Sequence, residues 1–169
     1  MANTLFPNGL TAIQNFDGGE ATPTRQFAVT AGQTIYPGDL VVLTSAGTIS
    51  VASAAGDSCG VSADYIDDSG SVGGKTCLVI ANPTTVFSIQ ATGTHTVADI
   101  GSIMNIVASA GDAVYKQSRQ RLNSATVANG VQLKVVGIDG SIDNAYGLYV
   151  RLLVLIASHQ FGAKLATAI

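Results

Sequence analysis

Two apolar runs separated by an Asn-Pro break constrain the fold more than any other stretch of the chain. Cys77 to Ala81 is an unbroken apolar run, and Val86 to Ala91 is a second run that alternates. In the second, Phe87, Ile89 and Ala91 fall on one side and Ser88 and Gln90 on the other, the two-residue period of a half-buried strand. Between them, Pro83 has no N–H to donate and pushes Asn82 towards extended geometry, so no helix passes through. The expectation is strand, corner, strand.

The same grammar recurs on both sides. Phe27 and Val29 alternate with Ala28 and Thr30. Tyr36-Pro37-Gly38-Asp39 is a turn signal, with proline at the second position and glycine at the third. Leu40 to Thr44 and Thr48 to Ala52, joined through Ser45-Ala46-Gly47, predict a hairpin. Further strands are expected over Gly60 to Ile66, Ser102 to Ala108 and Val131 to Ile138, with one helical turn over Val97 to Ile100. Leu148 to Ala157 is almost entirely apolar, which predicts a strand that is central or covered on both faces. Asp67 to Lys75 and Asp139 to Gly147 read as loops, and Lys116 to Gly130 is a polar passage to which no element is assigned.

Short strands at this spacing make the chain an all-β, single-domain β-sandwich or small β-barrel with an extended N-terminal arm. The arm takes residues 1–24, the β-rich domain 25–162 and a C-terminal tail 163–169. Glycine, proline and asparagine interrupt the arm, yet Leu5, Phe6, Leu10, Ile13 and Phe16 are spread through it. Such a segment either straps onto a partner or covers an edge of its own domain. A short helical turn is expected near Leu10 to Asn15.

Charge decides what class of partner fits. Asp, Glu, Lys and Arg make up 11 % of the 169 residues, against about 25 % in ordinary soluble domains. A surface so poor in charge has little repulsion to keep copies apart, and much of it suits contact with other subunits. The net charge of −3 argues against phosphate neutralisation on nucleic acid. No apolar run approaches the ~20 residues of a membrane span, and MANTLFPNGL has neither the basic start nor the apolar centre of a secretory signal. Lys116, Arg119 and Arg121 form a basic concentration, suited to a solvated edge or to an acidic neighbour in an assembly.

Catalytic patterns are nearly absent. His95 and His159 lack any metal-binding pairing and are expected at a surface or interface. GSVGGK, Gly70 to Lys75, echoes a phosphate loop but leads into a strand rather than a helix. Asp64, Asp67 and Asp68 do not follow calcium-loop order and are expected to cap turns. Cys59 and Cys77 read as small buried hydrophobes, with pairing across neighbouring strands as the alternative. No catalytic, cofactor or metal-binding residue is expected.

The order of several motifs resembles the capsid decoration, or cement, proteins of tailed bacteriophages. The residues that carry the resemblance are Phe27-Ala28-Val29, Tyr36-Pro37-Gly38-Asp39-Leu40-Val41-Val42, Gly47-Thr48-Ile49 and Asn82-Pro83 through Gln90. They continue with Asp99-Ile100-Gly101, Val150-Arg151-Leu152 and Ser158-His159-Gln160-Phe161. The resemblance implies a structural virion protein, made in the host cytoplasm, that binds the outside of the capsid as a homotrimer. There it would stabilise the lattice of major capsid subunits, its direct partner, without contacting nucleic acid or membrane. On that reading Leu5, Phe6, Leu10, Ile13 and Phe16 anchor the protein to shell or neighbours. Two rivals stand beside it. One is another virion part, such as a head-fibre base, a tail component or a glycan-binding β module; the other is a small hydrolase using His95 or His159.

Overall fold

The computed structural model describes residues 3–22, 25–70, 73–124 and 131–162. The expected tail 163–169, the ends of the arm and the last six residues of the Lys116 to Gly130 passage lie outside them. The first half of the chain holds β1 (Thr11–Asn15), β2 (Arg25–Ala28), β3 (Thr34–Ile35), β4 (Leu40–Leu43), β5 (Ile49–Val51), β6 (Gly60–Ser62), β7 (Ile66–Asp67) and β8 (Thr76–Ile80). The second half holds β9 (Thr85–Gln90), β10 (Thr94–His95), β11 (Ile103–Met104), β12 (Ile106–Val107), β13 (Arg121–Leu122), β14 (Leu133–Ile138), β15 (Gly147–Leu148) and β16 (Arg151–Ile156). A single 3-10 turn, Val97–Asp99, stands where one helical turn is expected.

Two five-stranded antiparallel sheets dominate, one ordered β1-β9-β16-β14-β11 and the other β2-β8-β6-β4-β5. The opening pair of runs thus splits at Asn82-Pro83 between the sheets: β8 belongs to the second and β9 to the first. The main core draws on both. Phe87, Ile89, Leu133, Leu152, Val154 and Ile156 come from the first sheet, and Leu40, Val61 and Ile80 from the second. This is sandwich packing, in which inward residues of two sheets share one interior. A second core of Val29, Ile35, Val41, Ile49, Cys59, Cys77 and Val79 lies on the other face of the second sheet. That sheet rolls around it. A parallel bridge from Val29 to Ile49 draws its first and last strands together, though no barrel closes among the described residues.

Several expectations are corrected by the tertiary structure. Leu10 to Asn15 is not a helical turn but contains the edge strand β1, paired with β9 from Thr11 opposite Ser88 to Asn15 opposite Thr85. A bulge between Ala12 and Gln14 interrupts it, one of the ways in which edge strands avoid adding further partners. Gly60 to Ile66 is two strands, β6 in the second sheet and β7 paired with β3. Ser102 to Ala108 likewise breaks at Asn105, with β11 joining the first sheet and β12 pairing β13. Strand β16 is central as expected, but its residues alternate between half-buried and buried, so only one face is fully covered. Every residue of β9 is buried: on its polar face Gln90 is bound by the arm and by the Tyr149 carbonyl, and Ser88 by Asp139.

Candidate functional site

The arm is positioned by polar groups of the first sheet. Gln90, on the outward side of β9, accepts the Phe6 N–H at 2.9 Å and donates to the Thr4 carbonyl at 2.8 Å and the Tyr149 carbonyl at 3.1 Å. Arg151, opposite Gln90 in the ladder, donates to the Phe6 carbonyl and to Asn8 Oδ1, both at 2.9 Å. Asn3 donates to the carbonyls of Ala145 and Leu148. A neutral amide is well suited to this work: it satisfies backbone donors and acceptors without the desolvation penalty of a charge.

Midway, the arm crosses the Tyr36–Asp39 turn. Gly9 has φ +69°, and a Cβ there would lie 2.4 Å from the Gly38 carbonyl oxygen. Gly38 itself has φ +87°, so both residues sit in the left-handed region that glycine enters freely. The Leu10 N–H donates to the Gly38 carbonyl at 2.9 Å, and the Leu10 side chain enters the main core. Leu10, an expected anchor, is therefore only 3 % exposed and is turned into its own molecule.

The other arm hydrophobics face outward: Leu5 is 46 % exposed, Phe6 62 %, Ile13 47 % and Phe16 68 %. At the front, Leu5, Phe6 and Pro7 form one wall of a groove of about 520 Å³. Tyr115, Arg119 and Arg121 stand on it too. The tertiary structure thus brings together two of the apolar arm residues and two of the three basic ones.

Asp112 builds the facing loop. One of its oxygens accepts the N–H groups of Val114 (2.8 Å) and Tyr115 (3.0 Å), and the other pairs with the Arg119 guanidinium. The Tyr115 N–H, aided by those of Val114 and the Arg119 charge, holds the Asp112 carboxyl below the usual range. Val114 and Tyr115 are left strongly exposed at the tip.

Lys116 does not join the groove. It has φ +54°, and its ammonium donates to the Tyr65 hydroxyl at 3.1 Å while lying 4.4 Å from the ring centre. That hydrogen bond pushes its pKa up. At the back of the arm, Phe16 borders a second groove of about 480 Å³, with Pro83, Thr84, Val136 and Leu155 as apolar walls and Lys134 at the rim.

Both histidines are buried, against expectation. His95 pairs across β10 to Gly147, and its Nδ1 lies 3.4 Å from Asp99. His159 bridges to Ser58, and its Nδ1 accepts the Phe161 N–H at 3.1 Å. Burial lowers the His159 pKa to about 4, so its imidazole is neutral near pH 7. Neither histidine lines a described cavity.

Cys59 and Cys77 are free and buried. Burial pushes the Cys59 thiol up to about 12 and raises that of Cys77, which makes both poor nucleophiles. Asp64 accepts the Leu78 N–H, Asp67 that of Ser69 and Asp68 that of Gly73. They work as caps. Among the described residues no three His, Cys, Asp or Glu side chains converge as a metal ion requires.

The residues that read as mere polar filler in the sequence carry the most placement. Gln132, wholly buried, accepts the Ile106 N–H and donates to the Ser53 carbonyl. Gln120 accepts the Leu40 N–H at 2.8 Å. Gln160 both accepts from and donates to the Leu43 backbone. For Gln90 a sequence signal existed, its place on the polar side of an alternating strand. Gln132 had the same signal, opposite Leu133 and Val135 in the expected strand Val131 to Ile138, whereas nothing in the sequence pointed to Gln120. No protein-family model, curated protein or solved structure matches the chain.

Proposed function

We propose that the chain is a structural virion protein of the capsid-decoration type, which binds the outside of a phage head and clamps major capsid subunits as a self-associated assembly. The observation that carries this reading is the arm's division of labour. Its backbone is tied down by Gln90, Arg151 and Asn3, while Leu5, Phe6, Ile13 and Phe16 point away from the molecule. A segment ordered in advance, with apolar side chains outward, offers binding area at low entropic cost. The front groove adds Arg119 and Arg121 for an acidic neighbour. Binding that is available only on the mature lattice would stabilise that lattice by mass action.

Removing residues 1–20 is not a clean test, because it would also delete β1 and the core residue Leu10. Substitutions at exposed side chains separate binding from folding. Phe6→Ser with Leu5→Ser should leave the fold intact and abolish co-sedimentation with expanded heads. Normal head binding by that variant would take the arm out of the account, and failure of the wild type to bind any head would end the capsid reading.

A further inference from the structure

The back end of the arm is as carefully built as the front. After β1 the chain turns sharply: the Asn15 N–H donates to the Gly19 carbonyl at 2.7 Å and the Gly18 N–H to the Asn15 carbonyl at 2.8 Å. The Asn15 side chain donates to the Glu20 carbonyl at 2.8 Å and accepts from Thr85 Oγ1 at 2.8 Å. Asp17 caps the Gly19 N–H at 3.1 Å, and the Phe16 N–H is held by the Thr84 carbonyl at 2.7 Å. The product is a fixed knob carrying one aromatic ring, Phe16, and two carboxylates, Asp17 and Glu20, all exposed.

The front groove has the opposite character. Leu5, Phe6 and Tyr115 supply apolar surface and Arg121 supplies positive charge, while Asp112, also on the groove, pairs with Arg119, whose side chain stays half exposed. The groove's volume of about 520 Å³ exceeds that of a phenylalanine side chain. Knob and groove match in apolar character and are opposite in sign of charge, two carboxylates against two guanidinium groups offset by one carboxylate. Within one copy Phe16 is pinned by the Thr84 carbonyl and borders the separate Pro83–Leu155 groove, not the front one. One copy as folded therefore does not fill its own front groove.

We propose that the Phe16–Glu20 knob of one copy seats in the Leu5–Arg121 groove of a second copy, joining copies head to tail. Phe16 enters beside Phe6 and Tyr115, while Asp17 and Glu20 meet the guanidinium groups of Arg119 and Arg121. The contact uses different surfaces on the two partners, so it repeats around a ring when the rotation closes. The proposal rests on the self-association part of the reading above and not on capsid binding.

Sedimentation velocity on the full chain tests it with two variants, each checked for an unchanged melting temperature. Phe16→Ser/Glu20→Lys disables the knob; Phe6→Ser/Arg121→Glu disables the groove. The wild type should sediment as an oligomer. Each variant alone should be monomeric, its dissociation constant weakened about thirtyfold or more, as for a central aromatic anchor. An equimolar mixture should give a dimer-sized species, because one intact knob meets one intact groove and the series stops there.

Variants that remain wild-type oligomers, or a mixture that stays monomeric, overturn the docking while leaving self-association standing. A wild type that is monomeric throughout overturns both. A groove variant that keeps its oligomer but no longer binds heads assigns the groove to the capsid and likewise overturns the docking.

Discussion

The two ends of the described chain are fastened by the same device and put to opposite uses. At the front, Gln90 ties Thr4 and Phe6 onto the first sheet. At the back, Gln160 ties itself to both backbone groups of Leu43 in the second sheet. The closing segment turns inward at His159, which is buried, while Phe161 stays 44 % exposed but stacks on Phe27 with centres 5.8 Å apart. The arm turns outward, with Leu10 alone committed to the core among its large apolar residues. The difference separates what holds a segment from what the segment presents. Polar clamps order both ends; the closing segment buries His159 and rests Phe161 on Phe27, whereas the arm buries Leu10 and leaves Leu5, Phe6, Ile13 and Phe16 exposed without a packing ring among the described residues.

That contrast breaks most readily at Leu10. Leu10→Ala should cost about 2–5 kcal/mol, the range for a buried leucine truncated in a packed core, read as a lowered urea midpoint. A loss below about 1 kcal/mol would mean that the arm is laid on a finished domain rather than built into it.

Next comes the inward-turned end. The folded pKa of His159, about 4, lies below its unfolded value near 6.5. The neutral form is thus the one that folding favours. Its contribution is complete above about pH 6.5 and is lost as pH falls towards 4, by on the order of 3 kcal/mol at most. His159→Gln should flatten the stability-versus-pH curve over that window relative to wild type. Parallel curves for the two proteins would refute the buried, neutral assignment.

Gln90→Ala should cost roughly 1–3 kcal/mol, since it leaves the Phe6 N–H and the Thr4 and Tyr149 carbonyls without their partner. Amide exchange at Phe6 should quicken while that of Leu10, held by Gly38, keeps its protection. Uniform loss of protection along the arm would show that front and middle are one cooperative unit. Smallest of all, Phe6→Ser should change stability by no more than about 0.5 kcal/mol, as expected for an exposed position. A larger destabilisation would mean that Phe6 serves the fold, and the contrast between the two ends would fail.

Much of the architecture follows from local rules that neighbouring residues obey regardless of context. The Asn82-Pro83 break, the Tyr36–Asp39 turn and the Val41-to-Val51 hairpin are decided by backbone sterics and period-two alternation, so they were readable in the chain itself. So were the absence of a helical domain and the apolar, punctuated character of the arm.

Tertiary structure alone decided which partner each strand takes and which polar groups are buried. Ser88 and Gln90 read as a wet face, yet Gln90 is held by arm residues some eighty positions earlier and Ser88 by Asp139, about fifty positions later. His95 and His159 look like surface residues until sheet pairing encloses them, and Leu10 looks no different from Phe6 until the arm crosses Gly38. The physical reason is the same in each case. Alternation and turn chemistry act over a few bonds, whereas burial depends on what long-range pairing brings to lie on top. A side chain's own neighbours in sequence hold no record of that.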